Sequence, residues 1–338
     1  MSEVLVLITL SYPEPLVERL RALSPRLQIA VHPARSAQDL PPDLLPDVEV
    51  LYTHHALPDP AAVPNLRWVQ FHFAGLDAIV DHPLLHTSEV QVTSMSGASA
   101  SQMAEYALMG MLALGHRVPR MVADKAARRW ADDRFERFRP VELRGATVGI
   151  VGYGSVGREV ARLCRAFGAQ VLATKRDLRR LAEDGYHLKE TGDPDAGLPD
   201  RLYPPQAVAS MAALCDFLVV TVPLTPETRG LIDRHVFEAL RPSAALVDLS
   251  RGGVVDHGAL VEALTDKKLS GAVLDVYPVE PLPENSPLWE MRNVLLSPHI
   301  AGASGDYFAR ATDLFAENLR RYLSDQPLLN LFDPQRGY

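Results

Sequence analysis

Three short stretches in the last third of the chain carry side chains that together could hold an anion and deliver a proton. "VDLSRGGVVD" presents Ser250 and Arg251 ahead of a glycine pair, "AVLDVYPVEP" presents Asp275 and then Glu280, and "LLSPHIAG" presents His299. Each set follows an apolar run of strand length. Reduction of a ketone builds negative charge on the carbonyl oxygen, and a histidinium beside it is a suitable proton donor near neutral pH. A neighbouring carboxylate such as Glu280 would favour the protonated ring and hold its orientation. An arginine such as Arg251 can clamp a substrate carboxylate and polarise the adjacent carbonyl. Taken singly, each has a plainer reading: His299 as a packed ring, Arg251 as a surface cation, Glu280 as a loop carboxylate.

A fourth stretch, "TVGIVGYGSVGREVARL", places Gly152, Gly154 and Gly157 directly after an apolar strand and at the start of a helix. A bare G-x-G-x-x-G is weak, but these flanks are the ones a dinucleotide site requires. Gly152 permits the tight turn, Gly154 lets backbone approach a pyrophosphate, and Gly157 lets helix and strand pack closely. The helix N-terminus then faces the phosphates. The next strand, "AQVLATKRD", ends in Lys175 and Arg176, where an NAD site would ordinarily carry Asp or Glu for the ribose hydroxyls. Two cations suit the 2′-phosphate of NADP, so the pattern favours NADP over NAD; a solvated basic pair is the alternative.

The elements that must position these residues follow from the apolar pattern. "VLVLITL", "LQIAVH", "VEVLYTHH", "LRWVQFHFAG" and "VQVTSMSG" read as strands in the first hundred residues, with a helix at "PLVERLRAL". A second alternating series runs through the glycine stretch, "DFLVVTVPL", "AALVDLS", "GAVLDVY" and "NVLLSPH". Strands alternating with helices predict parallel sheets covered on both faces, with ligands outside the carboxyl ends of the strands. Between the two series, "SASQMAEYALMGMLALGHRVPRMVADKAA" reads as one long, largely buried helix. "RRWADDRFERFRPVELRG" reads either as a dimer-contact arm or as a solvated connector, and 177–207, rich in Pro, Gly and Asp, as an irregular surface insertion.

Composition limits the alternatives. With 338 residues, two domains are expected, and 47% hydrophobic with 22% charged residues is the profile of a soluble globular protein. A net charge of −8 without a basic block argues against nucleic acid, and no apolar run is long enough for a membrane span. Cys164 and Cys215 lack metal or redox spacing and predict reduced core thiols in a cytoplasmic protein. The pair His54–His55 lacks metal-ligand spacing, so no metal is expected, and His72 is expected to pack rather than touch substrate.

Nearly the whole chain resembles the D-isomer-specific 2-hydroxyacid dehydrogenases, the group of glyoxylate/hydroxypyruvate reductases and phosphoglycerate dehydrogenase. "VGYGSVGREVARLCRAFGAQV", "VTVPLTPETRGLI", "SRGGVVDHGALVEAL", "GAVLDVYPVEPLP", "SPLW" and "SPHIAG" match its signature stretches in order and spacing. The resemblance implies two doubly wound parallel-sheet α/β domains: a flavodoxin-like substrate domain from residues 1–101 and 301–338, and a Rossmann domain for NAD(P) inserted at 102–300. It implies Arg251, Glu280 and His299 as the catalytic set. It also implies backbone N–H groups of Ala74, Gly75 and Leu76 on the substrate carboxylate, joined there by Arg251 and His299. Cofactor contacts are implied at Gly152, Tyr153, Gly154, Ser155, Val156, Gly157, Thr174, Lys175, Arg176, Val222, Pro223, Thr228, Leu249, Ser250, Arg251, Asp275, His299 and Ala301. Leu224 and Thr225 share the adenine-side loop. The expected reaction is hydride transfer between nicotinamide and a small 2-oxo or D-2-hydroxy acid in a homodimer. A dinucleotide-sensing corepressor-like protein would not need the intact triad; a phosphite-type oxidoreductase is the other alternative, and Pro298 before His299 disfavours a formate enzyme.

Overall fold

Two parallel sheets organise the chain, as a computed structural model shows for residues 3–77, 79–183, 185–334 and 337. They belong to separate units: Met1–Ser99, Asp184–Tyr186 and Ser304–Tyr338 form the first, and Ala100–Glu183 with His187–Ala303 the second.

In the first unit, strands β1 (Val4–Ile8), β2 (Leu27–Val31), β3 (Val50–Thr53), β4 (Trp68–Phe71) and β5 (Gln91–Thr93) pair in the order β2-β1-β3-β4-β5. All these pairs are parallel. This is the flavodoxin-like order. Period-2 alternation sends Val6, Ile8, Val50 and Tyr52 to one face, where the C-terminal helix Tyr307–Leu323 contributes Ala311, Leu314, Phe315 and Leu319. Leu7, Leu51, Val69 and Phe71 fill the other face. Helix α1 (Glu14–Arg21) flanks the sheet. Both faces of the strands are therefore apolar, as parallel sheets require.

The second unit carries β6 (Thr147–Val151), β7 (Gln170–Thr174), β8 (Arg201–Tyr203), β9 (Phe217–Val220), β10 (Ala245–Asp248), β11 (Gly271–Leu274) and β12 (Val294–Leu296), in the order β12-β11-β10-β9-β6-β7-β8. The chain winds outward from β6 to β8, returns to β9 and winds outward again, so the strand order reverses between β6 and β9. That switch point is where an open sheet of this kind takes its ligand. Helix α2 (Ala100–Gly115) lies on the sheet, and Gly110 permits it: a Cβ there would stand 2.9 Å from the Val273 side chain.

Two sequence expectations need correction. The long helix is two helices, α2 and α3 (Val118–Ala126). Arg117 adopts φ 61, in the left-handed region, and a proline occupies the first turn of α3, so the first helix cannot continue. Met121 and Val122 of α3 are exposed rather than buried. The connector after it folds back through a one-turn helix, α4 (Arg134–Arg137), and buried Asp124 accepts hydrogen bonds from Arg129 and Arg137. Secondly, 177–207 is not merely a surface insertion. Its end forms edge strand β8, and its middle covers Arg158, a residue of helix α5 (Ser155–Ala166) whose side chain is wholly buried. The remaining crossovers are the helices α6 (Val208–Ala212), α7 (Arg234–Ala239) and α8 (His257–Thr265).

Candidate active site

The register Asp248↔Leu274↔Leu296 sets the carboxyl ends of β10, β11 and β12 side by side, and the three suspected catalytic loops leave from there. Asp275, the first residue past β11 and 2% exposed, binds the third loop. Its Oδ1 accepts from Ser297 Oγ at 2.6 Å and from the Ile300 N–H at 2.8 Å, and its Oδ2 accepts from the Ala301 N–H at 2.8 Å. Tyr277 adds a second brace, its hydroxyl proton shared between the carbonyl oxygens of Leu274 and Ser297, each 2.9 Å from the hydroxyl oxygen. The gripped turn carries His299 at φ 54, a left-handed conformation that a non-glycine residue keeps only where its surroundings enforce it.

So held, the His299 ring meets Glu280: Nδ1 lies 2.9 Å from Glu280 Oε2, with both side chains partly exposed. The other carboxylate oxygen, Oε1, accepts from the Tyr277 N–H at 3.0 Å, which fixes the Glu280 side chain against its own loop. Nε2 of His299 is thereby the nitrogen left to face a reactant. Arg251 donates from Nη1 to the Ser250 carbonyl at 2.8 Å. Its loop is pressed onto the Asp275–Glu280 loop, since a Cβ on Gly252 would stand 1.9 Å from the Tyr277 carbonyl oxygen. The structure thus brings Arg251, Asp275, Glu280 and His299 to one edge of one sheet.

The glycine stretch lies at the same edge, after β6. Gly152 takes φ 103 and donates its N–H to Thr174 Oγ1 at 3.0 Å, while the Tyr153 N–H donates to the Thr174 carbonyl at 2.9 Å. Thr174 therefore shapes the loop. Gly154 caps α5, and a Cβ on it would meet nothing within 4 Å, whereas a Cβ on Gly157 would stand 2.2 Å from the Gly152 carbonyl oxygen. Open space over Gly154 beside the unpaired N–H groups that begin any helix is a cradle for an anionic phosphate. Val222 touches Gly152 from β9's loop, where Thr228 Oγ1 donates to the Pro223 carbonyl at 2.6 Å and accepts from the Thr225 N–H at 2.8 Å. Leu249 and Ala301 are buried and serve the core with their side chains. Tyr153 turns away from the cradle, its hydroxyl donating to Asp193 of the insertion.

The candidate substrate loop belongs to the first unit and follows β4, with Ala74 exposed, Gly75 half-buried and Leu76 buried. His72 packs as expected: its Nδ1 is 2.7 Å from the Tyr52 hydroxyl, amid the rings of Phe73, Tyr307 and Phe308. Burial pushes both His72 and His54 down to about 4. Among the described residues no cluster of three or more His, Cys, Asp or Glu could hold a metal ion, and no helix is long and apolar enough to cross a membrane.

A family model for the NAD-binding domain of D-isomer-specific 2-hydroxyacid dehydrogenases matches residues 108–301. A glyoxylate reductase of Aeropyrum pernix is 35% identical over 265 residues, 76% of this chain and 73% of the relative. This chain belongs to that family. It is also 32% identical to a D-3-phosphoglycerate dehydrogenase of Mycobacterium bovis over 79% of its own length, and spans about half of that longer relative, 47%. Among solved structures, a D-isomer-specific 2-hydroxyacid dehydrogenase from Xanthobacter autotrophicus Py2, in complex with NADPH and MES, superposes with a TM-score of 0.82 at 29% identity, covering 100% of both chains.

One group in this family member was not singled out from sequence. Asp248, fully buried at the end of β10, accepts at Oδ1 from the Ser250 N–H at 3.0 Å and from Ser250 Oγ, while its Oδ2 has no hydrogen-bond partner among the described residues. Burial raises its carboxyl to about 7; the Ser250 hydrogen bonds oppose that rise, and the charge of Asp275 adds to it. A charged residue closing the apolar run "AALVD" was the available signal. Because the folded value lies above the ordinary 3.8, the proton is bound more tightly in the folded chain. The resulting stability is complete below about pH 4 and is lost as pH rises through about 7. Asp248→Asn should therefore flatten the decline of Tm between pH 5 and pH 8, leaving the variant about 3 °C or more above the parent at pH 8 relative to pH 5. Scanning calorimetry across that range checks it; parallel curves would assign the decline to other groups.

Proposed function

We propose that the protein is an NAD(P)-dependent oxidoreductase that interconverts a small 2-oxo acid and its D-2-hydroxy acid, with NADP the favoured cofactor. The observation that carries this reading is the His299–Glu280 pair, 2.9 Å apart on a turn gripped by Asp275, at the sheet edge that also bears the glycine cradle. Gly152, Gly154, Ser155, Val156 and Gly157 would hold the pyrophosphate, Lys175 and Arg176 the adenosine ribose and its 2′-phosphate, and the 222–228 loop the adenine. Ser250, Asp275 and Ala301 would border the nicotinamide, which when bound supplies the hydride.

The chain's own residues do the rest. Arg251 meets the substrate carboxylate and the neighbouring carbonyl oxygen with its planar fork. His299 gives its Nε2 proton to the carbonyl oxygen as negative charge grows there, and recovers it in the reverse direction. Glu280 keeps the ring in the donating orientation and compensates its positive charge. The NADPH bound to the Xanthobacter relative supports the cofactor choice, and glyoxylate, the substrate in the name of the Aeropyrum relative, is the simplest acid to try. Buried, unpaired Cys164 and Cys215 fit a reducing cytoplasmic setting. Exposed Met121, Val122, Trp130 and Phe135, the last two 84% and 80% exposed, fit a homodimer that covers the arm.

Four outcomes test this reading. His299→Ala should lower kcat for a 2-oxo acid by about 10²–10⁴ with the cofactor Kd near that of the parent, and Arg251→Lys should lose most of kcat/KM despite keeping its charge. Full turnover in His299→Ala would remove the ring from the chemistry. Parent kcat/KM should be higher with NADPH than with NADH, a preference that shrinks with added salt and reverses in Lys175→Asp/Arg176→Ala; better use of NADH by the parent refutes it. Light scattering should give twice the chain mass at micromolar concentration, falling to a single chain when Trp130 and Phe135 are both made Asp; a monomeric parent refutes the dimer.

A further inference from the structure

The first of the two cations that follow β7, Lys175, does not act alone, because the insertion brings a carboxylate, Glu183, into its surroundings. Arg158, wholly buried, donates to the main-chain carbonyls of Leu181 and Asp193, lies over the Tyr153 ring at 4.9 Å, and has its Nε 3.2 Å from Glu183 Oε2. The last contact is an ion pair without hydrogen-bond alignment, so Nε keeps no aligned acceptor. Glu183 is largely buried, which raises its carboxyl, while the charges of Arg158, His187 and Lys175 pull it back. Lys175 feels the converse: burial and Arg158 lower its amine, and Glu183 raises it. Arg176 in turn lies within electrostatic reach of Glu227 on the adenine-side loop.

The insertion is anchored firmly enough to place that carboxylate. Asp193 accepts from the Gly197 N–H at 3.0 Å, from the Leu198 N–H at 2.9 Å and from the Tyr153 hydroxyl, and the Gly192 N–H donates to Glu159 at 2.7 Å. Tyr153 and Arg158 belong to the glycine stretch itself. The segment that carries Glu183 is thus built onto the phosphate cradle, beside the strand end at which a dinucleotide's adenosine ribose is read.

We propose that Glu183, held in place by buried Arg158, is a specificity-determining residue: it competes with the cofactor's 2′-phosphate for Lys175, and so restrains the preference for NADP that the sequence just past β7 would otherwise confer. This rests on the reading of Lys175 as a 2′-phosphate ligand. A carboxylate within several ångströms of a phosphate opposes it, and a partly screened site keeps only a fraction of that repulsion. NADH lacks the phosphate and gains no such relief.

Titration calorimetry of the full chain with NADPH and NADH, and with 2′-AMP and 5′-AMP as fragments, tests the idea in the parent, Glu183→Gln, Glu183→Ala and Lys175→Ala. Both Glu183 variants are expected to bind NADPH and 2′-AMP about 3–10-fold more tightly, with NADH and 5′-AMP within about twofold of the parent. A loosened insertion would weaken all four ligands together, so the NADPH-to-NADH ratio separates electrostatics from structure even if Tm falls. An unchanged or lowered ratio in both variants overturns the proposal. Lys175→Ala tells the two readings apart: if it lowers the ratio while the Glu183 variants leave it unmoved, Glu183 alone is wrong. If Lys175→Ala also leaves it unmoved, the 2′-phosphate reading falls with it.

Discussion

The grip of Asp275 on the 297–301 turn is the interaction on which the rest of the site depends. One buried carboxylate takes two main-chain N–H groups and one hydroxyl from a turn whose central residue sits in the left-handed region. Together with the Tyr277 hydroxyl on Ser297, it holds His299 at that φ and keeps the ring beside Glu280. The parallel register of β10, β11 and β12 makes the grip possible, because it sets Asp248, Leu274 and Leu296 level, so that Asp275 and Ser297 leave their strands side by side. The crowded contact of Gly252 with Tyr277 then ties Arg251's loop to the same frame. Catalytic geometry here is a property of packed strand ends rather than of the three side chains alone.

A second constraint acts at the far side of the glycine stretch. Burying the Arg158 guanidinium costs heavily unless its donors are met, and the insertion meets most of them with carbonyls and a carboxylate, while the Tyr153 ring of the glycine stretch covers its face. The same arrangement that pays that desolvation cost brings acid into the neighbourhood of Lys175. In the proposed reading, structural need and cofactor recognition share one cluster, and the charge written just past β7 exceeds the charge a ligand would meet.

Much of this was legible in sequence where local pattern and tertiary role coincide. Strand-length apolar runs ending in loops placed the sheets, and glycines between a strand and a helix placed the cradle. Arg251, Glu280 and His299 stood out because each lies in the loop after such a run, and the structure brings them to one sheet edge. What was missed lies where the role depends on long-range contact. Nothing local to Asp275 shows that its carboxylate will bind Ser297, Ile300 and Ala301, the turn that carries His299. Arg158 reads as an ordinary polar position of an amphipathic helix, because nothing local reveals that 181–198 will fold over it. The break at Arg117 was hidden by apolar residues on both sides, which resemble one continuous buried helix until Pro119 is weighed as a start signal.

The claim that His299 works as a proton donor held by Glu280 is tested most directly by single-turnover hydride transfer in Glu280→Gln, followed as NADPH oxidation at saturating 2-oxo acid. Glutamine keeps the size and a hydrogen bond but removes the charge that compensates the ring. The account expects the transfer rate to fall by about 10–10³ with the NADPH Kd unchanged. A variant that transfers hydride at the parent rate would contradict it.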